Sequence, residues 1–156
     1  MDTEVFLGCA CELLAIPSTS ERPAELRRAL DYVLDFTGPG FTVERFESGG
    51  KPSALVYAPG PTAAPAPGPA TEERPAGTPH GSAGQRWDDP FKIILNGHLD
   101  VVPAAAEQFV ARRDGDRLYA RGAQDMKVSA LAEALAFREL AATLPGPDLA
   151  RQGPPA

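Results

Sequence analysis

Cysteine and histidine are both scarce in this 156-residue sequence, with two of each. Cys9 and Cys11 stand two apart in a helical pattern, on different faces, which argues against a disulfide between them. They read as small core residues in a reducing compartment. No block of Lys or Arg occurs and the net charge is -6, so the chain offers no nucleic-acid surface. No run approaches the roughly 20 apolar residues of a membrane span, so no membrane partner is expected. The start, Met1-Asp2-Thr3-Glu4, is acidic where a secretory leader would be basic, which places the chain in the cytoplasm. A glycine-rich phosphate loop is missing as well. Gly122 precedes a helix whose Asp125 would repel phosphates, which speaks against nucleotide binding and leaves no cofactor-binding residues of that kind.

Proline is what the chain has in excess, 17 residues unevenly spread. From about 59 to 90 the composition falls to Pro, Ala, Gly, Thr and charge with Trp87 as the one large apolar residue, too little to offset the entropy of ordering. That stretch reads as a disordered insertion, and His80 within it as a solvated loop residue. A second Pro-rich stretch at about 145–156 reads as a flexible tail. The remainder suffices for one domain with a core and is short for two.

Val5, Phe6, Cys9, Ala10, Leu13 and Leu14 recur at helical spacing, with Asp2 or Thr3 as a cap. Leu26, Leu30, Val33 and Leu34 mark a second helix, with Ser18-Thr19-Ser20 as its expected cap and Gly38-Pro39-Gly40 as its stop. Phe41 to Phe46 alternates at period two, and Ala54 to Tyr57 follows as a shorter strand. The apolar run from Phe91 to Leu95 reads as a buried strand ended by Asn96-Gly97. Arg117 to Ala120 is a short strand, and Val128, Leu131, Ala132 and Leu135 carry a long helix to about Thr143.

The chemistry gathers at Asn96-Gly97-His98-Leu99-Asp100. At the carboxyl end of a strand His98 stands where open α/β sheets place ligands. Residues two apart on an extended backbone share a side, so Asp100 can reach the ring nitrogen that His98 does not use elsewhere. A carboxylate there fixes the tautomer of a metal-bound histidine. Taken alone, such a pair is more often a surface histidine beside an acid, and Asp125, at the head of the long helix, is by itself a capping aspartate. His98, Asp100 and Asp125 together can converge at one rim of a sheet.

Two blocks then carry a resemblance: Asn96-Gly97-His98-Leu99-Asp100-Val101-Val102-Pro103 and Leu118-Tyr119-Ala120-Arg121-Gly122-Ala123-Gln124-Asp125-Met126-Lys127. In this order and at this separation they resemble the zinc-dependent M20 metallopeptidases, which include desuccinylases, deacetylases, aminoacylases, dipeptidases and carboxypeptidases. Leu13-Leu14-Ala15-Ile16-Pro17-Ser18 and Lys51-Pro52-Ser53-Ala54-Leu55-Val56 add weaker support. The resemblance implies an α/β fold, a mixed sheet flanked by helices, of which 1–156 is the N-terminal part of a catalytic domain. It implies His98 as a metal ligand, Asp125 as a carboxylate bridging two ions, Asp100 as the catalytic acid that orients His98, and a cis Asp125–Met126 peptide. The expected reaction is hydrolysis of the amide bond of a peptide or N-acyl amino acid by metal-activated water, with a glutamate as general base. Two zinc ions are expected in a complete site, with cobalt or manganese allowed by the ligand types.

Ala120 and Val128-Ser129 depart from the glycines common in the family, and the 59–90 stretch is longer than its usual link. More serious, the glutamate base and the remaining ligands of that family follow the long helix, and here no glutamate comes after Glu139 and no histidine after His98. A catalytic zinc usually keeps three protein ligands and two ions sharing a carboxylate need about five groups; the matched positions supply two. The expectation is weak zinc binding and no hydrolysis by this chain alone. The competing expectation is a non-catalytic α/β module that associates with another polypeptide, as a homodimer or with a complementing chain, and a bare apolar face and sheet edge would mark a missing complement.

Overall fold

The computed structural model describes residues 1–57 and 93–143. The insertion expected at 59–90, His80 and the tail expected at 145–156 lie outside the described residues. Helix α1 (Thr3–Leu14) starts as the sequence predicts: the Asp2 carboxylate accepts the Glu4 N–H at 2.8 Å. This satisfies one of the donors that a helix start leaves free. Ala10, Leu13 and Leu14 face inward, and Ala10 and Leu13 form, with Ile16, Ala29 and Leu131, the centre of the core. Cys9 and Cys11 are both free thiols.

Helix α2 (Pro23–Thr37) corrects one expectation. Its cap position is Arg22, which makes no side-chain cap bond, and the helix is started by Pro23, whose fixed φ suits the first turn. Ser18 and Thr19 are used elsewhere: the Ser18 hydroxyl donates to the Leu99 carbonyl at 2.6 Å, and Thr19 forms a parallel bridge with Val101.

Strands β1 (Thr42–Ser48) and β2 (Lys51–Tyr57) pair antiparallel from Thr42 opposite Tyr57 to Ser48 opposite Lys51. Gly49 and Gly50 close this hairpin with φ of 57° and 76°, the left-handed pair that a two-residue turn matching strand twist requires. Ion pairs Arg27–Glu47 (2.8 Å) and Arg45–Asp31 (2.6 Å) link the hairpin to α2. Both are exposed, so each contributes only about 0–1 kcal/mol and guides orientation more than stability. After a single 3-10 turn, Ala106–Phe109, a second hairpin joins β3 (Arg112–Asp114) to β4 (Arg117–Tyr119). Helix α3 (Lys127–Thr143) then packs across α1 and α2, burying Ala130, Leu131 and Ala134.

The molecule therefore has helices plus small antiparallel sheets, in keeping with an α/β domain. Among the described residues, parallel pairing is limited to the bridge between Thr19 and Val101. The buried strand predicted to end at Leu95 does not form within the described residues. Ile93, Ile94 and Leu95 are exposed, Ile94 at 73%, and take part in no sheet. A strand exists only against a neighbour, and each two-stranded sheet is made of its own hairpin alone. No helix among the described residues is long and apolar enough to cross a membrane.

Candidate metal centre

Two anchor points place the segment that carries His98 and Asp100. The Ser18 hydroxyl holds the Leu99 carbonyl, and the Val101 N–H donates to the Ser18 carbonyl at 3.0 Å. Leu99 packs on the core between them. Gly97 lets the segment lie against α3, since a Cβ there would stand 3.0 Å from the Ala130 Cβ and 3.2 Å from a Glu133 carboxylate oxygen. Asp125 is held from the other side. Gly122 has φ +85°, and an added Cβ would sit 3.0 Å from both Val101 Cγ1 and Lys127 Cδ, so the loop before α3 must be glycine at that point. The Lys127 N–H donates to the Gly122 carbonyl at 3.0 Å, and the Asp125–Met126 peptide is cis, as the resemblance implied.

These constraints bring the three expected site residues together. His98 Nε2 lies 3.0 Å from Asp125 Oδ1, while His98 Nδ1 lies 3.1 Å from both the carbonyl and the Oδ1 of Asp100. Every neighbour of the ring nitrogens is thus an acceptor. A neutral imidazole has one N–H and one lone pair, so a lone pair at Nε2 would face the Asp125 carboxylate with nothing between. With the proton on Nε2 instead, the bare lone pair would face the acceptors of Asp100, so one of the two positions calls for a second proton or a cation. Burial pulls the His98 pKa down, but the Asp100 carbonyl, the Asp125 hydrogen bond and the charges of both aspartates outweigh it, and the net shift is upward.

A raised folded-state pKa gives stability that is fully present below the ordinary histidine value and is lost as pH rises through the shifted one. With the ring half exposed to water the effect on stability is small. The titration itself is the better readout. We expect His98 to titrate above an ordinary histidine by NMR, and Asp125→Asn to bring it down. A titration unchanged by Asp125→Asn would mean that the contact does not exist in solution.

The donor types fit a divalent ion of the zinc class, and so does their spacing. Two ligands each about 2.0–2.2 Å from zinc and roughly 90–110° apart stand about 2.8–3.6 Å from each other, and the observed separation is 3.0 Å. The fit is to part of a shell only. Among the described residues no group of three or more His, Cys, Asp and Glu could hold an ion, because Asp100 faces the far side of the ring. The Asp125 side chain is 84% exposed and opens into a cleft of about 440 Å³ that also takes in Ser20, Val102, Pro103, Arg121 and Gln124. Arg121 also lines this cleft, and its Nε is buried with no hydrogen-bond partner among the described residues. A separate hollow along α2, lined by Arg27, Arg28, Asp31, Tyr32 and Asp35, lies among exposed ion pairs and contains none of these groups.

Two contributors escape sequence reasoning. Ser18 looks like a helix cap and is instead a buried tie to Leu99. Lys127 is fully buried, donating through Nζ to the carbonyls of Leu13 (3.3 Å) and Ile16, and its burial pushes its pKa down to about 8 against the opposing charge of Glu25. The only sequence signal for it is its place in the block with Asp125.

Residues 94–150 match the family model described as Peptidase family M20/M25/M40. The chain is 46% identical over 65 residues to a succinyl-diaminopimelate desuccinylase of Verminephrobacter eiseniae, covering 37% of this chain and 16% of that protein. It is 44% identical over 74 residues to the succinyl-diaminopimelate desuccinylase of Acidovorax ebreus, covering 43% and 19%. A third, from Leptothrix cholodnii, is 36% identical over 83 residues, covering 43% and 22%. The chain therefore spans roughly a fifth of the length of the curated relatives it matches.

Proposed function

We propose, from the match of residues 94–150 to the M20 peptidase family model, that this chain carries the first part of a metal-dependent amide hydrolase site, with His98 and Asp125 as ligands and Asp100 as the acid that orients His98. The observation that carries the proposal is the imidazole with acceptors at both nitrogens, 3.0 Å from an exposed carboxylate. A cation between His98 and Asp125 removes the clash of lone pairs without a second proton. Asp100 then keeps its role, holding the proton on Nδ1 so that Nε2 is the coordinating atom.

A divalent ion bound there would polarise an amide carbonyl and make water a nucleophile at neutral pH. The protein's part is to hold the two donors in fixed relation and to offer the cleft beside them. Zinc is the ion proposed, with cobalt or manganese compatible with the same donors. The names of the relatives point to an N-succinyl amino acid as substrate, and the Arg121 that lines the cleft brings a positive charge suited to a carboxylate. The proposed setting is the cytoplasm.

The same geometry argues that this chain does not complete the reaction alone. Among the described residues, two donors and no facing general base leave the ion weakly held and the water without a proton acceptor. The exposed Ile93, Ile94, Leu95 and Val102 favour a complement, in the form of further polypeptide or a second chain, over a free-standing module with a covered core. The chain supplied with zinc and an N-succinyl or N-acetyl amino acid should release no detectable amine above background. Turnover that a chelator abolishes would overturn this part of the proposal.

A further inference from the structure

We propose that Lys127 is a positioning residue for Asp125, and that the segment Ile16 to Thr19 is the common seat from which both halves of the donor pair are hung. The proposal rests on the metal-site reading above and adds a mechanism for the fixed separation of His98 and Asp125. Lys127 stands two residues after Asp125 and is fully buried, yet among the described residues it pairs with no carboxylate. Its ammonium is spent on the carbonyls of Leu13 and Ile16, at the end of α1, which also accept the N–H groups of Ile16 and Ser18. Burying a cation for backbone acceptors alone is an expensive way to cap a helix. It makes sense as a tie between that helix end and the turn that carries Asp125.

The tie meets a second one on the same segment. Ser18, two residues past Ile16, holds the Leu99 carbonyl through its hydroxyl and the Val101 N–H through its own carbonyl, on either side of Asp100 and next to His98. One short stretch of chain thus fixes the His98 segment by Ser18 and the Asp125 turn by Lys127. Gly122 closes the arrangement, since any side chain there would strike both Lys127 and Val101. Loss of the Lys127 tie leaves both donors present and changes their spacing.

Zinc alone, titrated into the full chain and followed through the assigned His98 ring resonances, tests this. Asp125→Asn should weaken binding by at least tenfold. Lys127→Met should weaken it by about tenfold, the order found for groups that orient a ligand, and the double variant should bind no more weakly than Asp125→Asn alone. Phe36→Ala, a core change near the end of α2, should lower the melting temperature yet bind zinc like the unaltered chain. Should Lys127→Met fail to fold, Ser18→Ala takes its place, with the same loss of affinity expected. Unchanged affinity in Lys127→Met (or in Ser18→Ala where it stands in), full additivity with Asp125→Asn, or an equal loss in Phe36→Ala would overturn the positioning role while leaving the metal site standing. Unchanged affinity in Asp125→Asn would overturn the metal reading itself and this proposal with it.

Discussion

Zinc binding should fall below calorimetric detection when His98 is changed to alanine, and Asp100→Asn should weaken it by about 10–100-fold, the range for losing the acid behind a metal-bound histidine. The two variants act on different atoms. His98→Ala removes one of the two donors that face the same point, leaving Asp125, mostly exposed, as a single carboxylate in water. Asp100→Asn keeps both donors and removes the charge that holds the proton on Nδ1. Zinc also competes with a proton for Nε2, so affinity should drop as pH falls below the raised pKa of His98, opposite in sign to the small stability term from the same ring. Calorimetry on the three proteins at two pH values checks all of this. Equal affinities for His98→Ala and the unaltered chain would place zinc elsewhere.

The second large effect is on stability. Leu131→Ala should lower the unfolding free energy in urea by about 2–5 kcal/mol, the cost of a cavity where a fully buried leucine was removed. Leu131 has no exposed surface and joins α3 to the cluster of Ala10, Leu13, Ile16 and Ala29. Domains of this size hold only about 5–15 kcal/mol in total, so the change removes a large share of the stability. A shift below about 0.5 kcal/mol would mean that α3 does not pack on α1 in solution.

What the sequence disclosed, and what it did not, follows from how far each residue's partners lie along the chain. Helix α1 was legible because its cap, its spacing and its buried stripe are local, and Asp2 caps it as read. The convergence of His98, Asp100 and Asp125 was legible because two blocks of letters in a fixed order stand in for a contact that no local pattern encodes. The 93–95 run was misread for a physical reason: its apolar character is real, but a strand is a relation between segments, and no described segment pairs with it. Ser18 misled in the opposite direction. A hydroxyl shortly before a helix is usually a cap, and only the position of Leu99, 81 residues away, assigns it elsewhere. The burial of Lys127 depends on Ile16, 111 residues away, and nothing in its own neighbourhood announces a lysine without access to water.

X-ray absorption at the zinc edge of the zinc-loaded chain tests the central claim most directly, because it reports the atoms around the ion. The account predicts only nitrogen and oxygen neighbours at about 2.0–2.2 Å, one of them an imidazole nitrogen whose multiple-scattering signature disappears in His98→Ala. Sulfur at about 2.3 Å, from Cys9 or Cys11, or an imidazole signal that survives His98→Ala, would contradict it.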